Sequence, residues 1–65
     1  MYTYDDCMTY LNYLDRLGYD TMWIRYLWKL QGMSNDWCIQ RCKEIIETYN
    51  LEDPLIDPYD LFYSY

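Results

Sequence analysis

The stretch "DTMWIRYLWKLQG", residues 20–32, decides the fold. Asp20 reads as a helix cap and Gly32 as the left-handed residue that ends a helix. Between them Trp23, Leu27 and Leu30 form one apolar stripe, flanked by Met22 and Tyr26, and Ile24 and Trp28 form another. Only Arg25 and Lys29, spaced i and i+4, supply a polar edge. A helix apolar around most of its circumference is either central in its fold or covered by a partner.

Both flanks repeat the helical pattern. Upstream, Thr3 is placed to cap "TYDDCMTYLNYLDRLG" (3–18), with Asp6 at its third helical position. Cys7, Leu11, Leu14 and Leu17 share one face with Tyr10 beside them, and Asp5, Thr9, Asn12 and Arg16 form the wet face. Gly18 stands where the chain must leave this helix. Downstream, in "SNDWCIQRCKEIIETYN" (34–50), Ser34 or Asn35 caps and Asn50 terminates. There Cys38, Cys42, Ile45 and Tyr49 point one way, with Ile39 and Ile46 adjacent, and Gln40, Lys43, Glu44 and Glu47 point outward. No alternating run is long enough for a strand. The expected fold is all-α: a small three-helix bundle over residues 1–50, with helices at about 4–17, 21–31 and 35–49 and short Gly turns.

Residues 51–65, "LEDPLIDPYDLFYSY", read as an ordered acidic-aromatic C-terminal arm. Asp53-Pro54 and Asp57-Pro58 each carry the cap-then-proline signature, and Asp60 follows the second, predicting a short fourth helix over 58–63. A solvated tail is normally poor in aromatics, and this one is rich in them.

Sixty-five residues make one small domain, which removes only about 60% of its unfolded surface from water. Ten Tyr, three Trp and one Phe are the expected compensation for the thin core. At helical spacing Tyr10, Trp23, Tyr26, Trp37 and Tyr49 suit a core. Tyr2, Tyr4, Tyr13, Tyr19, Tyr59, Tyr63 and Tyr65 are then too many to hide, and Tyr is favoured as an interface anchor.

The net charge of −6 is uneven. Five bases (Arg16, Arg25, Lys29, Arg41, Lys43) lie between residues 16 and 43, and the two ends are purely acidic. Overall acidity opposes direct nucleic-acid binding, whose affinity comes mainly from neutralising phosphates. Polar, acidic residues follow Met1 and no apolar stretch is long enough to cross a membrane, so an intracellular (cytoplasmic) protein with reduced thiols is expected.

Catalytic and metal chemistry find little support. The chain has no His. Ser34 reads as a cap, Ser64 as a tail residue, and the adjacent Asp5 and Asp6 diverge by about 100° on a helix. The two Gly are isolated helix ends, so no phosphate loop is present. Cys7, Cys38 and Cys42 would need a carboxylate as fourth zinc ligand; two Cys at i and i+4 in an Ile-rich stripe read as small core residues. No enzyme, no cofactor and no metal is the expectation.

Residues 24–45, "IRYLWKLQGMSNDWCIQRCKEI", resemble the helix-turn-helix of DNA-binding proteins in their G-M-S turn between two helices. That resemblance implies a small regulator reading DNA with Arg25, Lys29, Gln40, Arg41 and Lys43. The sequence departs from the motif at Trp28, where a small residue is usual, and at Cys38, where Val or Ile is. Glu44 and Glu47 would set negative charge against the phosphates.

The leading expectation is therefore a non-enzymatic inhibitor that docks a Tyr/Asp-rich surface on a basic groove of a larger protein, for instance a nucleic-acid-binding enzyme. The docking residues expected are Asp57, Tyr59, Asp60, Phe62, Tyr63 and Tyr65, with Asp5 and Asp6. In size, acidity and aromatic content the chain resembles the small inhibitors that phages make against host machinery, anti-CRISPR proteins among them. A structural homo-oligomer, a homodimer being the simplest, is the third reading, since pairing also relieves an undersized core.

Overall fold

The computed structural model describes residues 1–55, which fold into three helices. Helix α1 spans Tyr4–Arg16, α2 spans Met22–Leu30 and α3 spans Asn35–Thr48. Each lies within two residues of its expected bounds. The predicted helix over 58–63 lies outside the described residues.

The ends of α1 are set by its sequence. The Thr3 hydroxyl accepts the Asp6 amide at 3.2 Å, and the Asp6 carboxylate accepts the Thr3 amide at 3.0 Å, a complete capping box. At the other end Gly18 takes φ +93°, the Tyr19 amide donates to the Leu14 carbonyl, and the Gly18 amide donates to that of Asp15. This is a Schellman closure. Asn50, at φ +53°, closes α3 the same way, with Leu51 bonding back to Ile46 at 2.8 Å. Ser34 caps α3 by accepting the Trp37 amide at 3.0 Å. Asp20 is not the N-cap of α2. Thr21 holds that position, and the Asp20 carboxylate accepts the Met22 amide from one residue upstream.

Helix α3 is the element against which both others pack. Cys7, Tyr10, Leu11 and Leu14 of α1 meet Cys38, Ile39, Cys42 and Ile46 of α3, and Ile24 and Trp28 of α2 complete the core. Each fully buried Leu or Ile is worth roughly 1.5–3 kcal/mol. The facing differs from expectation in several places. Leu17 is the C-cap of α1 and half exposed, because the helix ends before a further turn can reach the core. Tyr49 is likewise the C-cap of α3 and exposed, its ring resting on Tyr19 at 4.8 Å between centroids. On α2 the core face is Ile24 and Trp28, and Trp23 and Leu30 face out.

Polar side chains fix how the helices join. Thr21, buried to 1% exposure, donates its hydroxyl to Asp15, whose other oxygen takes Arg25 Nη2 at 2.6 Å. Arg25 also reaches Asn12 at 3.2 Å, so α1 and α2 are joined through this polar junction. At the opposite end Asn35 connects three segments. Its Oδ1 accepts Trp28 Nε1 at 3.0 Å, its Nδ2 donates to the Tyr2 carbonyl at 3.1 Å, and its own carbonyl accepts the Cys7 thiol at 3.6 Å. Asn35→Ala strands the indole N–H and the Tyr2 carbonyl together. A loss of about 1–3 kcal/mol is expected in urea unfolding, against under 1 kcal/mol for the neighbouring Asp36→Ala.

Candidate functional site

The residues expected to dock on a partner divide in two. Asp57, Tyr59, Asp60, Phe62, Tyr63 and Tyr65 lie outside the described residues. Asp5 and Asp6 are in the first turn of α1, where the helix dipole favours carboxylates. Asp6 is occupied by the capping box, whereas Asp5 is exposed and enters no ion pair among the described residues. Asp5 stands at one end of an open groove of about 450 Å³ along the outer side of α1. Met8 and Tyr13 line it, Arg16 stands at the far end, and Pro54 forms part of its wall. The chain reaches Pro54 because the Tyr10 hydroxyl, at the edge of the core, donates to Asp53 at 2.6 Å.

Three of the four bases expected to read DNA are partly buried, and Lys29 is exposed. Arg25 is paired with Asp15. Burial would by itself raise the Asp15 pKa, but the hydrogen bonds from Thr21 and Arg25 outweigh it and hold the carboxyl below its ordinary range. Arg41 is paired with Glu44 at 2.7 Å and lies over the Trp37 ring at 5.6 Å. Lys43, expected outward, is half buried and donates to the Tyr2 hydroxyl at 2.8 Å, which pushes its pKa up. Lys29 sits over Tyr4 at 5.5 Å and over Trp28 at 5.7 Å. Gln40 is exposed. The five residues therefore do not form an open basic face: three of the four cations are tied to acids or hydroxyls, and the fourth is held on aromatic rings.

A surface that the sequence left unassigned is the outer side of α2. Met22, Tyr26 and Leu30 recur at every fourth residue and all are exposed, with Trp23 and Met33 beside them. The Trp23 ring meets Trp37 of α3 edge-on at 6.3 Å, which extends the apolar patch onto the next helix. The signal for this face was already present in the all-round apolar character of residues 20–32. What was missing was any means of telling which stripe faces inward.

The three thiols occupy the centre of the molecule. Cys7, Cys38 and Cys42 are fully buried and unbridged. Burial, with the neighbouring Cys38, pushes the Cys7 thiol up to about 12. Cys38 is pushed up as well, first by its hydrogen bond with Cys42 and then by burial. Protonated thiols are neither nucleophiles nor metal ligands. Among the described residues no group of His, Cys, Asp or Glu is arranged to hold a metal ion, and no helix is long and apolar enough to cross a membrane. Comparison of this chain with protein-family models, with curated proteins and with solved structures finds no match.

Proposed function

We propose that the chain is a small, non-enzymatic protein-binding module whose acidic surface docks on a basic groove of a larger protein and obstructs it. The observation that carries this reading is the asymmetry in how charge is used. Arg25 and Arg41 are paired with Asp15 and Glu44, Lys43 is bonded to the Tyr2 hydroxyl and Lys29 is held on two rings, which leaves Arg16 as the one exposed base without such a partner among the described residues. Asp5, Glu47 and Glu52 are exposed and enter no ion pair among the described residues. The field presented to a partner is then negative, in keeping with the net charge of −6, and it steers association toward basic surfaces. Tyr4, exposed beside Asp5, supplies the kind of aromatic anchor that such interfaces favour. Small phage inhibitors of nucleic-acid-binding enzymes, anti-CRISPR proteins included, are the functional class that this combination resembles.

The test is capture from nuclease-treated lysate with the tagged chain at low and high salt, compared with the triple variant Asp5→Asn, Glu47→Gln, Glu52→Gln. A protein partner retained at low salt, released at high salt and bound at least ten-fold more slowly by the variant is the expected result. Direct retention of duplex DNA by the purified chain, or a partner indifferent to both salt and the variant, would overturn it.

A further inference from the structure

We infer that two copies of this chain pair through the outer face of α2. Met22 and Leu30 are each 71% exposed, Tyr26 54% and Trp23 45%, and these four cover the side of α2 opposite its core residues Ile24 and Trp28. With Met33 they present on the order of 500 Å² of mainly apolar surface per copy, taking about 150–250 Å² for each large side chain. Two such faces together bury about 1,000 Å², the lower bound for a specific interface.

Charge placement selects a second copy as the occupant. No acid lies within α2, and its two bases turn off the stripe, Arg25 toward Asp15 of α1 and Lys29 over Tyr4. The strip from Met22 through Tyr26 to Leu30 is therefore uncharged. A basic partner steered by the acidic field gains nothing electrostatic from such a strip. A two-fold pairing needs just such a centre, because any charge on the axis would meet its own copy. The four-residue spacing also builds a ridge that interdigitates with an identical ridge at a crossing angle of about −50°. Tyr26 then sits on the axis, and Met22 meets the partner's Leu30. The methionines at Met22 and Met33 adapt to the remaining gaps. This interface is independent of the acidic docking surface, and the two respond to salt in opposite senses. Each copy carries −6, so salt screens their repulsion and tightens the pair while it weakens capture of a basic target.

Sedimentation equilibrium on the full chain, at low and high salt, tests the pairing. The expected result is a mass twice the 8.2 kDa of the chain at about 100 µM, falling on dilution and favoured by salt. Leu30→Glu and Tyr26→Glu should each weaken the dimer more than about 30-fold with unchanged helix content, whereas Leu17→Glu, at the end of α1, should not. A wild-type chain of single mass at both salts would overturn the inference. So would a dimer that survives Leu30→Glu and Tyr26→Glu, which would place the interface elsewhere. A monomer whose capture of a basic target is lost in Leu30→Glu would assign the face to that target instead.

Discussion

Trp28→Ala should cost about 3–5 kcal/mol, much of the stability of so short a chain, whereas Trp23→Ala, five residues away on the same helix, should cost less than about 1 kcal/mol. Trp28 is 6% exposed and packs within the core formed with α1 and α3. Its indole N–H bonds Asn35, and its ring meets Tyr4 at 5.2 Å between centroids. Removing a buried Trp typically costs about 3–5 kcal/mol, and the cavity opens at the point where Asn35 holds three segments together. A chain of this length has a total stability of only about 3–10 kcal/mol, so one such loss consumes much of it. Circular dichroism of both variants during thermal and urea unfolding decides the matter. Equal effects of the two substitutions would mean that Ile24 and Trp28 are not the inward face.

Alkali should unfold the protein by ionising its core. The Cys7 thiol is pushed from 9.0 to about 12, and Cys38 and Tyr10 move in the same direction, Tyr10 by burial and then by its bond to Asp53. A raised pKa means that the folded state keeps a proton which the unfolded chain releases. The stability linked to that proton is complete below about pH 9 and is lost as pH climbs toward 12. Each such group contributes a slope of up to about 1.4 kcal/mol per pH unit. The urea midpoint should therefore be level from pH 7 to 8.5 and fall steeply above 9. Cys7→Ala should make the fall shallower. At pH 8 a thiol reagent should leave the native protein unlabelled and react with all three Cys in urea. A midpoint that stays level to pH 11 would show that these groups ionise without hindrance in the native state.

Much of the architecture was legible because short-range chemistry writes it. Thr3 with Asp6, Gly18, Ser34 and Asn50 each act within a few residues of themselves, and each sits at the helix end where it was expected. The facing of α2 was not legible. Two apolar stripes run along it, and periodicity alone cannot rank them when only Arg25 and Lys29 mark a wet edge. The choice is made by partners on the neighbouring elements: Thr21 finds Asp15 of α1, and Trp28 finds Asn35 of α3. Leu17 and Tyr49 have the right spacing for the core but fall after the last full turn, where the backbone is already leaving the helix axis. The candidate sites were legible as composition and not as placement. An excess of acid over base is visible in any count; that Arg25, Arg41 and Lys43 would spend themselves on internal partners depends on which helices become neighbours.

The distribution of the three tryptophans has an optical consequence. Trp28 is enclosed, Trp37 is half covered, and Trp23 stands at the surface edge-on to Trp37. Native emission is thus a blend of a short-wavelength indole and a wetter, longer-wavelength pair. Loss of the fold must red-shift the first, while anything that covers the outer side of α2 must blue-shift the second and alter the near-ultraviolet dichroism of the coupled rings. Unfolding and occupancy therefore move the emission in opposite directions, and the unlabelled chain reports in real time which of the two is taking place.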